Sequence, residues 1–482
     1  MSKASQSMPF IVCGRRRAPT EEASQEIRLV TGQSVLVPII TEDVTAAILA
    51  QDRMLLRDVP SYEIFAFLKN VGRNWKSREY ARRRVYVRQL VAGLGYSDEM
   101  ANHEADWIAM WLSSHVYLYD LIRAELGDRH ILDRWVAGEE ADVRAFPRGR
   151  TLHVLAGNVP LAGIGSILRA LITKNVCVVK SSSTDPFTPV ALALSFLDVD
   201  PAHPVARAMS VVHWPGGHDG ALERALVADA DALCAWGGPE TMKWALRHVG
   251  PEAEILRFGP RRSVAVVGAG TNLEATARAL AHDVCMYDQR ACFSVQQVFT
   301  EEPTAAIIPH LRAAFGTYQR MLPRGYHDFD ERAHASLSVL EADFSGAEVY
   351  TADDHDWSIV VCPPAKISGH PLGRTLFVHP IASIEDVTPF IDGAVQTVAL
   401  APWARAAEVR DAYIGAGASR IVDVGMNNLF RQGGAHDGFY PLQRLVRFGS
   451  VELPGSVHPK SVTMRVDQTE LLEQNKFSDL IP

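Results

Sequence analysis

Four short segments carry side chains able to do covalent chemistry at a carbonyl. DQRACFS, residues 288–294, places Cys292 just past the end of a helical stretch. A thiolate there can attack an acyl carbon and keep the acyl group as a thioester. AGNVP, residues 156–160, sets the Asn158 amide at a strand end beside Gly157, where it can donate a hydrogen bond to a developing oxyanion. VVKSSSTDPFTP, residues 178–189, closes a buried strand with Lys180 and the hydroxyls of Ser181, Ser182 and Ser183, which suit ribose or phosphate oxygens. AWGGPE, residues 235–240, pairs Gly237 with Gly238 at another strand end, where a ligand could approach the backbone closely.

The elements that must position these groups can be read from the apolar pattern. Residues 1–45 show apolar runs and turns with no clear period. Residues 60–145 read as helical, with Ile64, Phe65, Phe67 and Leu68, then Trp107, Ile108, Trp111 and Leu112, then Leu118, Leu121 and Ile122 at helical spacing. From residue 150 strands alternate with helices: strands at 152–155, 176–180, 210–213, 232–236 and 263–267, with helices at 163–174, 187–197, 219–228, 239–249 and 272–287. That alternation predicts parallel sheet with right-handed crossovers. The stretch 305–430 alternates again.

Composition narrows the function classes. Of 482 residues, 47% are hydrophobic and 22% charged, ordinary for a soluble globular protein. The 48 Lys and Arg against 56 Asp and Glu give a net charge of −8, which argues against a general nucleic-acid binder. Arg82, Arg83 and Arg84 read as a solvated helix face. The six cysteines form no CxxC pair, so a disulfide framework or a structural zinc is not expected. Cys177 and Cys285 read as core residues. The clusters His327, Asp328, Asp330 and Asp353, Asp354, His355, Asp356 read as solvated loops rather than metal sites. His436 reads as a turn residue. No apolar run is long enough for a membrane span, and the N-terminal residues do not form a secretion signal.

Two glycine loops imitate a dinucleotide fingerprint, GIGSIL at 163–168 and GAGTNL at 268–273. Each has Leu where the third glycine belongs, and no acidic residue sits after a strand about 20 residues beyond Gly163. A tight turn without a ligand is the reading for Gly268.

Taken in order, GNVP, LRALITKNVCVVKSSSTDPFTP, DQRAC and GGAHDGFYPLQRLVR at 433–447 resemble the aldehyde dehydrogenase superfamily and, within it, the LuxC-type acyl-CoA reductases. The resemblance spans roughly residues 60–450. It implies an aldehyde-dehydrogenase-like α/β fold with a cofactor-binding domain, a catalytic domain and an oligomerisation arm. The expected division is 1–262 for a helical N-terminal region and the NADP(H)-binding domain, 263–435 for the catalytic domain, and 436–482 for a segment returning to the cofactor domain or the arm. It implies NADPH-dependent reduction of a fatty acyl thioester, carried by CoA or a carrier protein, to the aldehyde. A cytoplasmic homo-oligomer is expected, with room for acyl-transferring partner enzymes and no metal.

By the same resemblance Cys292 is the nucleophile, and Asn158 with the Cys292 N–H forms the oxyanion site. Lys180, Ser182 and Ser183 meet the adenosine ribose, and Gly237 and Gly238 flank the pyrophosphate. Four departures from the superfamily matter, one of them Gly237 in place of a hydroxyl residue before Gly238, which leaves the cofactor contacts there open. Arg257 stands where a Glu would activate water, which favours a long-lived thioester. Ser183 replaces a Glu that would repel a 2′-phosphate, which favours NADPH. Arg290 stands two before the cysteine and could lower the thiol pKa as a nearby cation. Two alternatives remain open from the sequence: oxidation of a free aldehyde, and an acyl-holding subunit that has lost cofactor binding.

Overall fold

The computed structural model describes residues 6–18, 23–138, 141–367 and 369–452. Two seven-stranded sheets organise the chain. The first runs, edge to edge, Glu254–Phe258, Ala232–Trp236, Arg150–Val154, Val176–Lys180, Met209–Val212, Phe10–Val12 and Arg15–Arg17. Its first five strands are parallel and its last two antiparallel. Val176–Lys180 sits in the middle and is buried throughout. A strand covered on both faces must be apolar at every position, which is why VCVVK has no alternation.

The second sheet runs Glu348–Thr351, Ser358–Val361, Thr375–Pro380, Val295–Thr300, Arg262–Val267, Val395–Ala401 and Arg420–Asp423. All pairs are parallel except the first. The chain passes from one sheet to the other through Gly259, Pro260 and Arg261. It returns at the end, where Val446–Glu452 pairs with Ala141–Pro147 in a small antiparallel sheet. Residues 453–482 of the expected C-terminal segment lie outside the described residues.

The helices Ser61–Lys76, Asp98–Ser113 and His115–Leu126 share one core with helix Pro160–Ile172. Ile64, Leu68, Ile108, Leu112 and Ile122 pack there with Ile164, Ile167 and Leu171. The first sheet therefore ends against a helical wall that is the product of the N-terminal pattern.

Three expectations are corrected. Residues 1–45 are not an aperiodic lead-in: Phe10–Val12 and Arg15–Arg17 extend the first sheet, Ser24–Arg28 pairs with Ser34–Pro38, and a helix spans Glu42–Leu49. Strands of three residues are too short to show a period of two. The helical region stops at Leu126, because Ala141–Pro147 is a strand whose partner lies some 300 residues on. Arg83 is buried rather than solvated: it donates to the carbonyls of Trp75 and Asn102 and pairs with Asp106 at 2.6 Å.

Candidate active site

Cys292 follows a short stretch of unusual backbone. Helix Leu273–Cys285 ends, and Tyr287, Asp288 and Gln289 then take φ of 55°, 49° and 63°. Left-handed backbone costs a non-glycine residue roughly 1–2 kcal/mol. Three in succession persist only where the surroundings fix them. Each of the three side chains is held by a buried partner far away in sequence. The Tyr287 hydroxyl donates to Glu104 Oε2 at 2.7 Å. Asp288 accepts from Arg374 Nε at 2.7 Å and from the Gly325 N–H at 3.0 Å. Gln289 donates to the carbonyls of Val295 and Thr375 and accepts from the Thr375 N–H.

These partners shift one another's protonation. Burial would raise Asp288, but His327 and Arg374 outweigh it and hold the carboxyl well below its usual range. Burial pushes Glu104 up to about 8, against the opposing hydrogen bond from Tyr287. His327 and Asp328 are thus not part of a solvated loop. His327 lies buried between Asp288 and Glu331, and Asp328 caps helix Phe329–Phe344. Asp356 pairs with Arg374. Among the described residues no cluster suited to a metal is present.

The turn delivers Cys292 to a cavity of about 390 Å³ between the carboxyl ends of the first sheet and the amino ends of the second. In α/β sheets ligands bind outside the carboxyl ends of strands. Cys292, Asn158, Gly237 and Gly238 all line this cavity. The Asn158 Nδ2 donates to the Arg290 carbonyl at 2.7 Å, which fixes the amide and leaves its second N–H. Ser263 Oγ donates to the Cys292 carbonyl at 2.8 Å, and Asn427 Nδ2 to that of Phe293 at 2.9 Å. Burial, then the Asp437 charge, push the Cys292 thiol up to about 11, while the Gln396 amide and Arg420 act to lower it.

Arg290 is not the cation that acts on this thiol. Its guanidinium donates to Glu331 at 2.9 Å and to the Tyr326 carbonyl, and Arg420 takes the place expected for it. His436 is in a turn, but it is also buried in the cavity wall, stacked on Phe430 with ring centroids 4.7 Å apart. Sequence reasoning missed Gln396, Arg420 and Asp437 and read His436 as a turn residue. The hints were the motif GGAHDG, which holds His436 and Asp437, and a Gln and a Thr inside the otherwise apolar strand VQTVALA.

Lys180, Ser182 and Ser183 lie outside the cavity wall, after the strand two places from Ala232–Trp236. Burial lowers Lys180 to about 8, and its ammonium stands 6.0 Å from the Trp214 ring centroid. Ser182 packs against Gly157, where a Cβ would meet its hydroxyl at 2.7 Å. Gly237 has φ of 149°, and Gly238 precedes helix Pro239–His248 with open space where a Cβ would be. The uncapped N–H groups of that helix suit an anion. The two fingerprint imitations are not such sites. The N–H groups of Ala269 and Gly270 are taken by Glu301 and Glu302, and Gly163 lies inside helix Pro160–Ile172 against Leu155.

The family described as acyl-CoA reductase (LuxC) matches residues 56–448. The chain belongs to that family. It is 42% identical over 477 residues to the long-chain acyl-protein thioester reductase of Photobacterium phosphoreum, covering 98% of this chain and 97% of the relative. It is 45% identical over 429 residues to the protein of that name from Vibrio harveyi, covering 89% and 90%. An oxidoreductase from Marinobacter aquaeolei superposes with a TM-score of 0.74 at 16% identity, covering 92% of this chain and 98% of that one. An NADP-dependent enzyme of E. coli gives 0.73 at 15%, covering 93% and 98%, and E. coli lactaldehyde dehydrogenase 0.70 at 14%, covering 93% and 100%. The fold of this LuxC-family chain is therefore that of the aldehyde dehydrogenases.

Glu104 gives a test of the scaffold. A carboxyl raised to about 8 keeps a proton that the unfolded chain releases above its ordinary value of 4.5. Its contribution is thus fully present at low pH and is lost as pH climbs toward about 8. Glu104→Gln cannot ionise, so its Tm relative to the parent chain should rise between about pH 5 and about pH 8. A difference that stays flat across that interval would show that Glu104 is already ionised in the folded chain.

Proposed function

We propose that this chain reduces an acyl thioester to the aldehyde with NADPH, through an acyl group held on Cys292. The observation that carries the reading is the meeting of Cys292, the fixed Asn158 amide and the Gly237–Gly238 turn in one cavity. The Cys292 sulfur attacks the acyl carbon. The free N–H of Asn158 and the N–H of Cys292 stabilise the oxyanion, and the carrier thiol leaves. NADPH, when bound, would supply hydride to the acyl carbon, and the bond from that carbon to the Cys292 sulfur would then break to release the aldehyde and the thiolate. Arg257, exposed on strand Glu254–Phe258, presents no base to water at the superfamily's position, so the thioester outlasts hydrolysis.

Lys180, Ser182 and Ser183 would hold the adenosine ribose, and Gly237 and Gly238 the pyrophosphate. The stretch Ser181 to Thr184 holds no carboxylate that would repel a 2′-phosphate. The open Cβ position of Gly238 and the free helix N-terminus behind it fit a phosphate. In this reading the cofactor domain is 1–262 with part of the returning C-terminal segment, the catalytic domain 263–435, and the small sheet of Ala141–Pro147 and Val446–Glu452 belongs to an oligomerisation arm. The chain works as a cytoplasmic homo-oligomer on CoA or protein-bound acyl groups. Among the described residues no helix is long and apolar enough to cross a membrane.

The acyl chain has a place to lie. Ala162, Gly165, Leu168 and Ile172 form one face of helix Pro160–Ile172, at i, i+3, i+4 spacing, along the cavity wall. That face is roughly 15 Å long. Trp111, Tyr117, Leu118 and Leu121 face it from the N-terminal helices. Trp111 occupies the room that Gly165 leaves: a Cβ there would meet its ring at 2.8 Å.

Incubation with NADPH and acyl-CoAs from butanoyl to octadecanoyl should give the matching aldehydes by mass, faster than with NADH. Formation of acid, or turnover only of aldehyde with NADP⁺, would overturn the reading. Gly165→Ala should press the indole into the cavity and lower kcat/KM for the longest chains about tenfold relative to butanoyl, the value of roughly two buried methylenes. Trp111→Leu should move the preference toward longer chains. An unchanged chain-length profile in both would remove the acyl chain from this wall.

A further inference from the structure

Asp437 is the one carboxylate among the described residues lining the cavity. Its side chain is 3% exposed and its backbone φ is 52°, a conformation that a non-glycine residue keeps only under constraint. Gln396 reaches it from strand Val395–Ala401, where it is 1% exposed. A β-bulge aims it there: Arg262 pairs with Val395 and Ser263 with Thr397, so Gln396 is the extra residue between them. Bulges beside active sites re-aim a side chain in this way. The Gln396 Nε2 donates to Asp437 Oδ1 at 2.7 Å, and both groups act on the Cys292 thiol, the carboxylate raising its pKa and the amide lowering it. An amide inside a buried central strand is costly unless it is engaged.

Other charged groups around Asp437 are cationic or neutral. Arg261 Nε lies 4.0 Å from its Oδ2, and Arg169 and Arg420 add positive charge. His436, next in the chain, is held well below its usual pKa by burial and by Arg169, so it stays an uncharged ring in an aromatic wall. Burial lifts Asp437 above the ordinary carboxylate range against the pull of Gln396 and the three arginines. That brings it nearer to a group able to take and return a proton.

We propose that Asp437 carries the proton of the acyl-transfer step and that Gln396 is the positioning residue that holds it beside Cys292. The inference rests on Cys292 being the acylated thiol. The Asp437 carboxylate takes the proton of the Cys292 thiol. The sulfur lone pair forms the new S–C bond to the acyl carbon. The tetrahedral adduct collapses, the C–S bond to the carrier breaks, and the departing carrier thiolate takes the proton from Asp437. One thiol is consumed, one is released, and Asp437 is again a carboxylate. No change of oxidation state occurs in this half of the reaction.

The test uses the full chain with Asp437→Asn, Asp437→Glu and Cys292→Ala. Two quantities are measured without NADPH: the burst of free CoA from an acyl-CoA, and the rate of Cys292 alkylation by iodoacetamide across pH. Asp437→Asn should slow the burst about hundredfold. Alkylation, which needs only the thiolate, should not slow, and its midpoint should move to lower pH because the opposing negative charge is gone. Asp437→Glu should recover part of the burst. An unchanged burst in Asp437→Asn, or a burst and an alkylation rate that fall together, would overturn the role of Asp437. A burst that survives in Cys292→Ala would overturn instead the acyl-cysteine reading on which it rests.

Discussion

The buried ion pair between Asp288 and Arg374 is the contact on which the turn before Cys292 depends. It joins the loop before Cys292 to the start of strand Thr375–Pro380, 86 residues later. Breaking such a pair from one side costs about 3–5 kcal/mol, because the remaining charge stays buried and unpaired. The pair restrains a segment in which left-handed backbone at three consecutive residues costs roughly 1–2 kcal/mol each. Glu104 and Thr375 fasten the flanking residues of the same turn. Cys292 is therefore presented by a strained segment whose restraints come from the helical wall on one side and the second sheet on the other.

The sheets meet at this point with matched irregularities. Around Ser263 both neighbouring strands carry an extra residue, Gln296 on one side and Gln396 on the other. Ser263 itself holds the carbonyl of Cys292. Gln296 lines the cavity on this side, while the opposite wall, built from helix Pro160–Ile172 and the N-terminal helices, is largely apolar but carries Arg169.

Much of the first sheet was legible in the sequence because its strands are continuous apolar runs bounded by polar residues or glycine, as in VCVVK and ALCAW. The segments around Asn158, Gly238 and Cys292, which the fold brings to one cavity, stand out in the sequence because each lies at a strand or helix end with a polar side chain or a glycine pair. What escaped was long-range. Glu104 looks like any helix-surface acid until Tyr287, 183 residues away, is seen to point at it. Arg83 sits in an arginine run that reads as solvated, yet it is buried against backbone carbonyls. Arg290 has the charge expected near a thiol but spends it on Glu331, a pairing set by the capping of helix Phe329–Phe344. Asp437 and Gln396 meet only because a bulge shifts one strand by a residue, and a bulge leaves no mark in an apolar pattern.

The account stands or falls on a covalent acyl group at one sulfur. The direct measurement is peptide mass spectrometry of the protein incubated with an acyl-CoA in the absence of NADPH. The account predicts a mass gain of one acyl group on the peptide containing Cys292, removed by hydroxylamine and discharged as aldehyde when NADPH is added. An unmodified Cys292 peptide, or the label on Cys13 or Cys362 instead, would contradict it.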